Sequence, residues 1–273
     1  MFDLRQLTPS GAIGLLGLTV FLVITAFAPL LAPYNPYDIV GGPWEPHSDA
    51  FLLGTDNIGR DLLSRLLHGI RTTVTVSLAA NLLAFAIGIT LGFIAAALSG
   101  WGDQLLSRAN ELIMSIPTLI WALALLSMLP PSIEILIAVI AVLESTRIFR
   151  ISRAVAVNIV ASDFVEASRL RGEGLGWLLF REILPNAWSP LMAEFGLRFS
   201  FVVLFISALS YLGLGIQPPA ADLGGMIKDN KDGIAFGIGA AMVPGATIIL
   251  LAVSANLFVD WLSQRRRDPR RTL

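Results

Sequence analysis

Polar and apolar positions in this chain segregate by whole segments rather than alternating residue by residue. Gly11–Ala32, Thr72–Trp101 and Gly233–Val259 contain no charged residue, and each reaches the roughly 20 apolar residues that cross a bilayer as a helix. Gln104–Leu129 interrupts its apolar run only with Arg108 and Glu111, a pair at i, i+3, and Pro130-Pro131 stops it. Leu191–Leu214 carries Glu194 and Arg198, one helical turn apart, which predicts an i, i+4 pair because either charge alone in hydrocarbon costs several kcal/mol. Between Pro131 and Asp163 the pattern is thinner, with Glu134 and Glu144 bracketing few apolar residues. A span is still required there, or the 163–190 connector and the arginine-rich tail would lie on opposite sides of the membrane. The pattern predicts an all-α membrane protein with six transmembrane helices.

The connectors carry the information. Gly11–Ala32 is longer than the apolar core of a signal peptide and is followed by Pro33 and Pro36 instead of a small-residue cleavage site, so it reads as a retained first helix. Pro33–Ala50, rich in proline, glycine and aspartate, reads as an extended segment outside the membrane. Leu53–Arg65 combines a turn signal with an amphipathic stretch that feeds helix two from the interface. Within helix two, Gly88 and Gly92 form a Gly-x-x-x-Gly pair that permits close helix approach.

The longest charge-rich stretch, Asp163–Pro190, sits between two apolar spans and must leave the bilayer. Phe164, Ala167, Ser168 and Arg171 fall at helical spacing, and Gly172 stands where a left-handed helix stop is wanted. Leu175, Leu178, Leu179 and Ile183 form a second apolar stripe, which Pro185 is expected to help end. The prediction is a short helix-turn-helix outside the membrane.

Composition removes several classes of function. The 273 residues are 55% hydrophobic and 14% charged, against roughly a quarter charged in soluble domains. There is no cysteine, which excludes disulfides, thiolate metal sites and a cysteine nucleophile. His47 and His68 are the only histidines, so a metal cluster or a serine–histidine hydrolase is poorly supplied. The chain has no Gly-x-x-x-x-Gly-Lys-Ser/Thr phosphate loop.

Three stretches resemble one family. Glu166-Ala167-Ser168, then Gly172, then Leu184-Pro185 is similar to the EAA loop of ABC-importer permeases, the element that docks on the ATP-hydrolysing subunit. Ser168 stands for the second alanine of that pattern, and Glu182 for its isoleucine, with Ile183 one residue late. Leu53-Gly54-Thr55-Asp56, Gly59-Arg60-Asp61 and Ser64-Arg65 resemble a run in the dipeptide/oligopeptide/nickel branch of these permeases. So does Ser210-Tyr211-Leu212-Gly213-Leu214-Gly215 with Gln217-Pro218-Pro219.

The resemblance implies a type I ABC-importer permease bundle. Residues 1–71 would hold helix one, the extracytoplasmic segment and the interfacial helix, and residues 72–273 the permease core, with the EAA loop at about 154–189. It implies coupling to the ATPases through Glu166, Ala167, Ser168, Gly172, Leu184 and Pro185. It further implies a paralogous permease, two ATPase subunits that bind the ATP and Mg, and an extracytoplasmic solute-binding protein, with no cofactor in this chain. Peptides or similar small solutes are the implied cargo. A self-sufficient secondary transporter is the alternative, although the chain shows no convincing internal repeat of the kind such transporters carry.

Charge orients the chain. With the N-terminus inside, Arg5, Arg108, Arg147, Arg150, Arg153, Arg169, Arg171, Arg181 and the tail arginines face Arg60, Arg65, Arg71, Lys228 and Lys231 outside. The positive-inside rule then puts both termini and the 163–190 loop in the cytoplasm of a bacterial inner-membrane protein. Beside a membrane helix, the basic tail reads as a cytoplasmic end and not as a nucleic-acid patch. Glu144, three residues before Arg147, is a candidate for the solute pathway; the other reading anchors the pair at the membrane edge.

Overall fold

The computed structural model describes residues 9–98 and 100–267. Arg5, Arg270 and Arg271, which entered the charge reading, lie outside the described residues. Among the described residues the regular structure is helical: α1 (Pro9–Leu31), α2 (Leu62–Leu98), α3 (Gly100–Met114), α4 (Thr118–Met128), α5 (Ile133–Val160), α6 (Asp163–Leu170), α7 (Leu175–Trp177), α8 (Leu184–Leu212), α9 (Leu223–Asn230) and α10 (Met242–Arg267). Two isolated bridges, Ile39 to Arg60 and Thr55 to Asp61, are the extended pairings.

Among the described residues, four helical stretches are long and apolar enough to cross a membrane, and a fifth is added if the bent pair α3 and α4 counts as one. The remaining predicted span falls on α5, a continuous helix of 28 residues that is not among these. Its length suffices, at roughly 1.5 Å per residue, but Glu134, Glu144, Arg147, Arg150 and Arg153 keep it out of the apolar set. Burial resolves part of that conflict, because Glu144, Ser145, Thr146 and Ser152 on α5 are all buried.

Three predicted boundaries move, each for a local reason. α2 does not start at Thr72: Oδ2 of Asp61 accepts from the Ser64 N–H at 2.8 Å, capping a helix that opens at Leu62 and runs 37 residues without a break. The amphipathic stretch is thus partly turn and partly the first turns of α2. The helix predicted over 104–129 is two helices, bent by 80° at Ser115–Pro117, because Pro117 donates no N–H and pushes Ile116 out of the helical region. At its far end Leu129 is extended (φ −97°, ψ 154°) before Pro130, as the double proline requires. The last helix begins at Met242, nine residues after Gly233, which itself lies in a 3-10 turn over Lys231–Phe236.

The chain divides into two compact units. One comprises the described residues up to Leu78 and from Gly196 on, with Pro131–Leu136; the other comprises the described residues of Ala79–Pro130 and Ile137–Phe195. In the first, α1 packs along α10, and Phe21, Leu66, Ile70, Val203, Met226 and Leu251 fill the core. In the second, α2 and α5 meet at the predicted glycine pair. A methyl group on Gly88 would come within 2.7 Å of Ile148 Cβ, and the Ser152 hydroxyl donates to the Gly88 carbonyl at 3.0 Å. Only a residue without a side chain lets the two backbones approach so closely.

Candidate functional site

The 163–190 segment lies wholly in the second unit and is built in two arms. The first arm is α6, with Asp163 and Glu166 in its first turn, where carboxylates favour the positive end of the helix dipole. It buries Val165 and Ser168 on one face and leaves Phe164, Glu166, Ala167 and Leu170 exposed. The helix ends as predicted. Gly172 has φ +81°, its N–H donates to the Arg169 carbonyl at 2.9 Å, and the Glu173 N–H reaches back to Ser168 at 3.2 Å. Those two bonds are the Schellman pattern that a left-handed glycine permits. A Cβ on Gly172, Gly174 or Gly176 would meet nothing within 4 Å, so the turn has room beside each of these glycines.

The second arm runs through α7 and a π-helical turn, Leu178–Ile183, directly into α8. Leu178, Leu179 and Ile183 are buried as the stripe predicted, the last two against Phe93, Ala156 and Leu191, whereas Leu175 is exposed. Leu184 is half-buried against the same cluster and Pro185 is exposed. Pro185 does not end this helix, contrary to the sequence expectation; it is the second residue of α8, and the helical run from Leu175 continues to Leu212. The widened turn just before it provides the room that a proline ring lacks in a regular helix interior.

The two positions where the chain departs from the EAA pattern meet in space. The Ser168 hydroxyl donates to Glu182 Oε1 at 2.7 Å, and Arg171 donates to the same hydroxyl at 2.7 Å while lying 3.9 Å from Glu182. Trp177 Nε1 reaches Glu182 Oε1 at 3.4 Å, and the Arg181 guanidinium lies 5.3 Å from the Trp177 ring centre. A serine on the buried face of α6 and an acid in an apolar stripe therefore satisfy each other across the turn. Arg169 ties the arm down elsewhere, donating to the Ala97 carbonyl at the end of α2 at 3.0 Å.

Of the predicted residues, Glu166 and Ala167 share the exposed face of α6, Gly172 forms its end, Ser168 faces inward, and Leu184 and Pro185 follow the π turn. Glu144 stands apart from them on α5, completely buried, and Arg147 one turn on donates to Thr118 Oγ1 at 3.4 Å. Glu194 and Arg198 are both half-buried on α8. Arg108 and Glu111 pair at 2.7 Å as predicted.

A second polar assembly, in the first unit, escaped the sequence reading. Asp56 is fully buried; Oδ1 accepts from the Ile58 and Arg60 N–H groups, and Oδ2 from Arg60 Nε at 2.6 Å with Arg65 Nε at 3.3 Å. Asp229 of α9 lies 3.8 and 3.9 Å from the same two arginines. Asn230 accepts from Trp44 Nε1 and from the Asn57 N–H. The Thr-Asp, Gly-Arg-Asp, Ser-Arg wording thus encodes a clasp that fastens the segment before α2 to α9. Farther along, Asp222 caps α9 by accepting from the Gly225 N–H, and its burial pushes its carboxyl pKa up. Among the described residues no cluster of three or more histidine, cysteine, aspartate or glutamate side chains could hold a metal.

Comparison with known proteins agrees with this architecture. Residues 88–268 match the family model described as binding-protein-dependent transport system inner membrane component. The chain is 35% identical to the di/tripeptide transport system permease protein DppC of Pseudomonas aeruginosa, over 91% of this chain and 84% of that one. It is 32% identical to the dipeptide transport system permease protein DppC of Haemophilus influenzae, over 92% and 87%. A glutathione transport system permease protein, GsiD of Pectobacterium atrosepticum, is 29% identical over 90% and 83%. With its several apolar spans and these relatives, the chain is a multi-pass inner-membrane permease subunit of an ABC importer and not itself an enzyme. It belongs to the family of binding-protein-dependent transport system inner membrane components.

Proposed function

We propose that this chain is the permease subunit through which two cytoplasmic ATPases drive import of peptides or similarly small solutes, and that the 163–190 segment is where they engage. The observation that carries the reading is the construction of α6. One face is rooted by Val165, by Ser168 on Glu182 and by Arg169 on Ala97, while the other presents Phe164, Glu166, Ala167 and Leu170 beside an open glycine tip. A rooted arm with an unfilled polar and apolar face transmits force when a partner grips it. ATPase closure would move α6 as a rigid lever, and the continuous helix from Leu175 to Leu212 would carry that motion into the membrane.

ATP and Mg would be held by the partner subunits, since no phosphate loop occurs in this sequence. A paralogous permease would complete the pathway, and an extracytoplasmic binding protein would deliver the solute. The names of the relatives, for di/tripeptide, dipeptide and glutathione transport, support a peptide cargo. Both termini and the loop would be cytoplasmic by the positive-inside rule. The buried Glu144 remains a proposed element of the solute path, exposed in a state other than this one.

The test is co-expression with the neighbouring transporter genes and reconstitution in vesicles. Uptake that requires ATP and the co-purified ATPases supports the reading. Uptake by the lone chain on a proton gradient would replace it with a secondary transporter.

A further inference from the structure

The bend at Ser115–Pro117 swings α3 away from the line of α4 and leaves a cavity of about 740 Å³ between α3 and α5. Asn110 and Met114 line one wall, and Phe149, Arg150 and Arg153 the other. Its charges are unevenly matched. Arg153 is held by both carboxylate oxygens of Asp103 at 2.5 Å. Glu111, the acid in the lining, is taken by Arg108 at 2.7 Å. Arg150 is exposed and makes no ion pair among the described residues, so the cavity carries one net positive charge. Asn110 is buried, and its amide nitrogen rests on the Met114 thioether at 3.4 Å, a weak acceptor that a stronger one would displace.

The opposite face of α3 supplies a second, independent indication. Trp101, Leu105 and Leu112 fall within about 40° of one another around the helix and are 89%, 72% and 73% exposed. Arg108 lies on the same face, 80% exposed, with an aliphatic stem that can lie on apolar surface. Such a helix rests at the boundary between acyl chains and headgroups. A cationic, hydrogen-bonding cavity opens beside it.

We propose that this cavity seats the phosphate group of an anionic phospholipid from the cytoplasmic leaflet, with Arg150 and the Asn110 amide on the phosphate oxygens; the stripe on the far face of α3 sets the depth of the helix at the headgroup boundary. The leaflet rests on the orientation proposed above; the binding chemistry does not. A basic pocket between membrane helices at headgroup depth has the charge and polarity that such lipids require.

The full importer, purified in mild detergent, is equilibrated with mixed micelles of phosphatidylglycerol and phosphatidylcholine, and retained lipid is counted by mass spectrometry of the intact complex. Phosphatidylglycerol should be retained in preference, and Arg150→Gln should lower its retention about fivefold. Arg150→Lys, which keeps the charge, and Arg71→Gln, an exposed arginine of the other unit, should leave retention unchanged. Equal retention in the wild type and Arg150→Gln, or equal retention of phosphatidylcholine, overturns the proposal. Displacement of the lipid by millimolar glycerol phosphate would instead assign the cavity to a free phosphate and equally overturns it. Lipid counting needs no transport, so its failure leaves the coupling role of 163–190 untouched.

Discussion

The Asp56 clasp and the 163–190 segment are both rich in charge, and they use it in opposite ways. In the clasp, Asp56 is fully buried and Arg65 is 4% exposed; each charge is answered within the chain, and the result is fixed geometry. In the loop, internal bonds hold the root of α6, whereas Glu166, Ala167 and Leu170 face outward and a Cβ on any of the three glycines would meet nothing within 4 Å. A self-satisfied network contributes stability, and an incompletely covered one is available to a partner. Substitutions in the clasp should therefore register in folding, and substitutions in the loop should register in coupling with folding preserved.

The largest effect expected is that of Asp56→Ala. It leaves the buried Arg65 guanidinium and the partly buried one of Arg60 without their shared carboxylate, a loss of about 3–5 kcal/mol. Folded yield and thermal unfolding in detergent should show it. Asp229→Ala, at 3.8–3.9 Å and one-third exposed, should cost well under half as much. A clasp variant that folded normally but transported poorly would break the contrast.

Gly172 sharpens it from the other side. Gly172→Ala meets no steric obstacle, so its cost is the left-handed backbone alone, about 1–2 kcal/mol. Gly172→Pro forbids the positive φ and removes the N–H that caps α6. It should abolish solute-stimulated ATP hydrolysis in the assembled importer while membrane insertion, read by protease protection, is retained.

Smaller again is the Ser168–Glu182 bond, a hydroxyl donating to a charged acceptor and worth about 1.5 kcal/mol. In a double-mutant cycle, Ser168→Ala and Glu182→Ala should each lower the solute carried per ATP hydrolysed, and the double variant should be no worse than the poorer single. Additive losses would mean that the two residues act separately.

The smallest effect concerns Asp222. Its carboxyl pKa is raised, chiefly by burial, so the folded state holds the proton more tightly than the unfolded chain. Stability should therefore fall as pH rises from the ordinary carboxylate value through the raised one. Asp222→Asn keeps an acceptor for the Gly225 N–H and should flatten that slope. A slope unchanged in the Asn variant would assign the pH dependence to other groups.

Local features were legible in the sequence, and long-range partnerships were not. The Gly172 stop, the inward stripe of Leu178, Leu179 and Ile183, the Gly88–Gly92 approach and the end of α4 before Pro130 follow from spacing and backbone rules acting over a few residues. Pro117 carried a signal that hydropathy masked, because its apolar flanks read as one uninterrupted span. Pro185 carried a misleading one, since a π turn just before it accommodates the ring. Asp56 shares its arginines with Asp229, far along the chain, and no periodicity reports that. Ser168 and Glu182 were legible only as departures from a pattern, although two polar residues on two buried faces were a hint that they compensate each other.

The chain's lack of cysteine permits the most direct test of the coupling role, because Ala167→Cys creates a single thiol on the exposed face of α6. In inverted vesicles containing the full importer, that thiol should cross-link to an ATPase subunit, with a yield that changes between ATP-bound and nucleotide-free states. It should react with a membrane-impermeant maleimide only from the cytoplasmic side. Labelling from the opposite side, or accessibility with no ATPase cross-link in any nucleotide state, would contradict the account.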